Sequence, residues 1–229
     1  MNKYRSTALF LIVVPLAFNV AFFALGGAFE YPDILRQPTA DILQKFSAGG
    51  SSLVALWYAF ALTALLSVPL ALLLQSVFED EHPQLARAAG VIGVLAGLVQ
   101  TLGLFRWVFL VPTLAATVAD PAATPGLRDA AMIAFESAHQ YLGVAVGEHL
   151  GYFFTGTWTI LLSVMMFRSR WFNRGLGIVG IIAAIGIMVG LLEPAGVEFA
   201  GLVNALSYIV WSVWLVSAGV LLFSARQAS

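Results

Sequence analysis

The chain has 229 residues, 60% of them hydrophobic and only 10% charged, with a mean hydropathy of +0.91 and a net charge of −1. That is too few charges to clothe a soluble domain of this size, and the balance of signs offers no basic patch for a nucleic acid. Cysteine is absent, which removes disulfides, thiolate metal sites and cysteine nucleophiles and leaves the redox compartment undecided.

Lys3 and Arg5 precede an apolar run over residues 7–29. A basic start and a greasy centre also describe a secretory signal, but this run exceeds the roughly 7–15 residues of a signal core and reads as a first span. Pro15 and Asn19 predict a kink and a polar contact to a neighbouring helix. The polar interval that follows holds Tyr31-Pro32-Asp33 and Gln37-Pro38-Thr39, both helix starts with proline near the first turn. Ile34, Leu35, Ile42, Leu43 and Phe46 give it one apolar face. This predicts a short amphipathic helix on the bilayer surface or capping the bundle, broken by Gly49-Gly50-Ser51-Ser52.

The second span covers residues 53–78, with Trp57 and Tyr58 placed for an aromatic belt and Pro69 for a kink. An acidic turn, Glu79-Asp80-Glu81-His82, leads to a third span at 88–111, where Gly90, Gly93 and Gly97 share one face for close helix approach. Arg106 lies near its end. A guanidinium there must find a partner or reach water, since insertion at mid-bilayer costs about 2.5–3.5 kcal/mol. Pro112 to Gly126 reads as a Pro/Ala/Thr loop, and Thr124-Pro125 as a capped helix start.

From there to Arg168 no proline intervenes. One straight α-helix of that length would measure about 60 Å, twice the hydrocarbon core. Its first third must therefore lie outside, lie flat or fold back at the glycines, with the spanning part at 144–167. Spans five and six follow at 176–192, ended by Glu193-Pro194, and at 202–223.

Alternate connections carry seven Lys and Arg on one side, counting Arg226 in the tail, and three on the other. The positive-inside rule then places both termini in the cytoplasm of a six-span, all-α protein forming one integral membrane domain. With that orientation the embedded polar groups gather in the outer half: Arg106, Glu148, His149, Glu193 and Asn204, with Glu136, His139 and Gln140 leading into span four. These are the candidate ligand-binding residues. Their expected core is a pair between Arg106 and Glu148, because a buried charge needs a named partner. The competing interpretation is an ion pair that only fixes helix register.

Sharper chemistries fail on spacing. Glu136-x-x-His139 recurs only as Glu79-x-x-His82 in the acidic turn, outside the spans, so a di-iron bundle is discounted. His139 and His149 lie about 15 Å apart along an α-helix, which rules out a shared metal ion, and no facing histidine pair is available for haem. No catalytic triad, His-Glu-x-x-His or phosphate loop occurs. No metal or cofactor is implied, and no catalytic residue is assigned. Gly143, Gly147 and Gly151 form a packing face. With 3.6 residues per turn His139 and Gln140 share that face, while Glu148 points nearly opposite.

Tyr31-Pro-Asp-Ile-Leu-Arg36, Leu104-Phe-Arg-Trp-Val-Phe109, the run from His139 to Gly151, Glu193-Pro-Ala-Gly196 and Asn204-Ala-Leu together resemble a bacterial family of integral membrane proteins catalogued as a domain of unknown function. The resemblance implies a six-helix inner-membrane protein in contact with the lipid bilayer and brings no activity with it. The leading expectation is a binding or transport-type protein whose outer polar cluster takes a small, anionic or amphipathic molecule. An intramembrane enzyme on a lipid-like substrate, with His149 or Glu148 as acid or base, is the alternative. A structural or partner-binding subunit is the third. The scarcity of polar groups in the inner half counts against transport.

Overall fold

The structure is a computed structural model and describes residues 3–224; Arg226 lies outside them. Every regular element in that range is helical: α1 Lys3–Phe29, a 3-10 turn Asp33–Arg36, α2 Thr39–Phe78, α3 Pro83–Phe109, α4 Val111–Ala119, α5 Pro125–Ala138, a π-helical segment His139–Leu150, α6 Gly151–Met166, α7 Arg174–Val189, a 3-10 turn Gly190–Ala195 and α8 Ala200–Ser224. Five stretches are long and apolar enough to cross a membrane: Lys3–Phe29, Thr39–Phe78, Pro83–Ala119, Arg174–Ala195 and Ala200–Ser224. The sixth expected crossing falls on the π segment and α6, which follow one another without a break. The all-helical, multi-pass class stands as expected.

The lipid-facing surface is visible in α1. Leu9, Val13, Leu16, Val20 and Phe23 recur at helical spacing and are all exposed, Val20 to 70%. A soluble protein does not present so long an apolar stripe to water, whereas a span presents it to acyl chains.

Three local features differ from the sequence reading. Residues 112–119, expected as loop, continue as α4. Pro112 sits in its first turn, where no backbone N–H is required, and Val111, Ala115 and Val118 supply a buried stripe. Residues 139–150, reckoned from the sequence at 3.6 residues per turn, take π turns between α5 and α6. Trp57, expected in an aromatic belt, is fully buried, while its neighbour Tyr58 is 43% exposed. The amphipathic helix after the first span is present as residues 39–49, the first arm of α2, with Ile42, Leu43 and Phe46 buried.

The chain divides into two compact units: Met1–Leu16, Leu65–Leu98 and His149–Ser229 in the first, Ala17–Ala64 and Val99–Glu148 in the second. Small residues set helix approach in the first unit. A Cβ on Gly93 would meet Ala71 and Trp158, each at 2.6 Å, and one on Gly190 would meet the Asn204 amide at 2.6 Å and the Tyr152 ring at 2.7 Å. Two indoles cross-link its helices by hydrogen bonds, Trp211 donating to Thr159 Oγ1 at 2.8 Å and Trp214 to the Leu176 carbonyl at 2.9 Å. The second unit is held by an aromatic core in which Trp57 and Trp107 stack with centroids 4.6 Å apart and planes 9° from parallel. Phe29, Phe46 and Phe135 pack edge-on or stacked around Trp107.

The arm of residues 39–49 reaches that core because α2 breaks at Gly50, whose φ of 56° and ψ of −152° are non-helical. Only glycine enters that region cheaply. A Cβ there would meet no atom within 4 Å, so a substitution acts through the backbone alone. Gly50→Ala should therefore lower stability by about 1–3 kcal/mol, or straighten the helix and withdraw Phe46 from Trp107. Thermal unfolding of the detergent-solubilised protein, read by near-ultraviolet circular dichroism, checks this; an unchanged midpoint and spectrum would show that the break carries no strain.

Candidate functional site

Arg106 is 6% exposed, inside the second unit. A guanidinium has five N–H donors and cannot shed its charge, so burial demands acceptors on every side. α3 supplies the first from its own turn, where Nη1 donates to the Gly103 carbonyl. The π segment supplies the second: Nη2 lies 3.2 Å from His139 Nδ1. Arginine has no acceptor, so Nδ1 must accept. The imidazole is then neutral, with its proton on Nε2. The guanidinium also lies over the Trp107 ring at 5.2 Å, and the Phe135 ring stacks on His139 at 5.6 Å and 10°.

Glu148, on the same π segment as His139, and Arg106 feel each other's charge. Tyr31, in the turn after α1, senses both. Burial and then the Glu148 carboxylate hold its phenol above the ordinary range, with Arg106 opposing. Arg106 thus sits among a carbonyl, a neutral imidazole and an indole face, with the Glu148 carboxylate acting on it through its charge.

The π register explains why Glu148 takes part at all. Nine residues separate His139 from Glu148. Over that distance an α-helix makes about two and a half turns and puts the two on opposite faces. With i→i+5 hydrogen bonds, nine residues make about two turns, and both fall on the Arg106 side. Gly143, between them, is the seat of the guanidinium: a Cβ there would lie 2.6 Å from Nη2 and 2.7 Å from Cζ. One turn on, a Cβ on Gly103 would sit 2.6 Å from Gly147 Cα, so the two backbones touch where neither residue has a side chain.

A family model described as "Domain of unknown function (DUF4386)" matches residues 7–219. The chain belongs to the DUF4386 family. No curated protein and no solved structure matches it. DUF4386 membership supports the resemblance seen in the sequence and adds no activity, ligand or residue role.

The remaining sequence candidates of this DUF4386 chain are placed elsewhere or differently employed. Glu136 Oε1 accepts from Thr39 Oγ1 at 2.7 Å, tying α5 to the start of the arm, and Gln140 is exposed. His149, Glu193 and Asn204 belong to the first unit. His149 is exposed there. Asn204 is buried and its amide donates to the Ile187 carbonyl at 2.7 Å, joining α8 to α7. The Glu193 carboxylate lies beside Gly201 in the first turn of α8, where the helix dipole favours a negative charge. His82, in the acidic turn, has its Nε2 buried.

Sequence reasoning missed Tyr31, Trp57, Trp107 and Gly103. The adjacency of Trp107 to Arg106 was the available signal, because an aromatic face is a natural neighbour for a desolvated guanidinium. Among the described residues no group of His, Asp and Glu could hold a metal ion.

The glycine contacts predict a ranking. Gly143→Ala pushes on a movable guanidinium, whereas Gly103→Ala pushes backbone against backbone. Both should destabilise, by about 1–3 kcal/mol, with Gly103→Ala the worse. Ala scanning at 103 and 143 with thermal unfolding in detergent tests this, and the reverse order would contradict the contact described.

Proposed function

We propose that this is a multi-pass bacterial inner-membrane protein, both termini cytoplasmic, that binds a small anionic or amphipathic molecule at Arg106. One observation carries the proposal: a guanidinium buried in an aromatic core, with its own Nε and two neighbouring indole nitrogens left without acceptors. Three donors of the same core, Arg106 Nε and the indole nitrogens of Trp57 and Trp107, are buried without a partner. Buried orphan donors call for an acceptor, and an oxyanion head with a short apolar body matches both the donors and the rings around them. Bringing the anion to Arg106 would oppose Glu148 electrostatically, so Glu148 would tune affinity downward.

The Gly103–Gly147 contact favours a second reading, in which Arg106 only pins α3 to the π segment. Carboxylates of increasing chain length, from acetate to oleate, separate the two when titrated into the purified protein while its thermal midpoint is followed. The ligand reading expects a saturable rise that disappears in Arg106→Gln and strengthens in Glu148→Gln. No rise in the wild type, or one undiminished in Arg106→Gln, would leave only the pinning role.

The proposed orientation has its own test, made simple by the absence of cysteine. A membrane-impermeant maleimide applied to intact cells should label Glu198→Cys and spare Ser224→Cys. The opposite pattern would invert the topology and move the Arg106 cluster to the cytoplasmic half.

A further inference from the structure

The end of the first unit where α1 begins and the α2–α3 and α6–α7 turns lie is crowded with charge. The acidic turn meets basic residues from three separate segments: Lys3 Nζ is 3.5 Å from Asp80, Arg87 Nε 3.7 Å from Glu79 and Arg170 Nε 3.2 Å from Glu81. These pairs are partly exposed and contribute little stability, but each offsets a charge. Three cations are left over. Arg5, Arg168 and Arg174 are exposed, and none takes part in a described ion pair.

The surplus is framed by rings. Tyr4 and Trp171 join α1 to the α6–α7 turn with centroids 5.0 Å apart, Arg170 lies over Trp171 at 4.7 Å, and Arg5 lies over Phe223 at 5.8 Å. These residues mark the ends of membrane-length helices, so the free guanidiniums stand at headgroup depth with aromatic rings at the polar–apolar boundary.

From these contacts we infer that Arg5, Arg168 and Arg174 bind the phosphate of an anionic phospholipid, while the acidic turn keeps Lys3, Arg87 and Arg170 out of that contact. The recognised chemistry is a phosphate oxyanion. Its lipid source is assigned because the cations flank lipid-facing helices rather than an aqueous cleft. The inference is independent of any ligand at Arg106.

Native mass spectrometry of the detergent-purified full chain, titrated with phosphatidylglycerol or phosphatidylcholine, provides the test. Phosphatidylglycerol should be retained preferentially, and the triple variant Arg5→Gln/Arg168→Gln/Arg174→Gln should lose that retention by about tenfold or more. Glu79→Gln/Asp80→Asn/Glu81→Gln frees three further cations and should retain more phosphatidylglycerol than the wild type. That gain cannot arise from misfolding, so this variant decides the matter if the triple variant does not fold. Equal retention of the two lipids, no loss in a folded triple variant, or no gain in the acidic-turn variant would overturn the inference. Displacement of phosphatidylglycerol by millimolar inorganic phosphate would assign the surface to a free anion instead.

Discussion

A guanidinium taken out of water has to be met by the protein, and much of the second unit is arranged around that requirement at Arg106. Its own helix gives a carbonyl, the facing segment gives an imidazole locked in one tautomer, and the next residue gives an aromatic face. The Glu148 carboxylate adds its charge to this set. Desolvating ions together often returns less than it costs, so such a cluster is weak evidence for a role in stability alone.

The segment opposite Arg106 is where local structure and electrostatics become one problem. An uninterrupted α-helix through residues 139–150 would carry either His139 or Glu148 toward α3, but not both. Widening the turn to i→i+5 brings the two into line and puts the bare backbone of Gly143 beneath the guanidinium. π turns are uncommon because they pack their own backbone less well, and they recur where a side-chain direction matters more than helix economy. Here the direction that matters is that of Glu148, whose charge acts on both Arg106 and Tyr31.

Much of this protein can be read from its residues, and the reason is hydrocarbon. Runs of apolar side chains long enough to cross a bilayer leave few alternatives, so the spans, the break at Gly49-Gly50 and the glycine face of α3 all emerge from composition and spacing. Arg106 announces itself as the one lysine or arginine inside an expected span, and the need of a buried charge for a partner points to Glu148. The register that joins them is not legible, because angular arithmetic based on 3.6 residues per turn puts Glu148 opposite His139, and nothing in the sequence of residues 139–150 flags a π register. Trp57 misleads for a different reason. Its place early in a span suits an interfacial belt, yet the arm before Gly50 folds over it and makes that depth interior. Asn204 and Glu193 stand out by polarity; what spacing does not show is that Asn204 donates to the Ile187 carbonyl and that Glu193 lies beside the first turn of α8.

The parallel stacking of Trp57 on Trp107 has an optical consequence. Two indoles that close and that nearly parallel couple their electronic transitions, and one of them carries a fixed cation against its face. The chain therefore contains a built-in chromophore pair at the heart of the Arg106 cluster. Any molecule arriving there would alter its ellipticity and emission without a probe having to be attached.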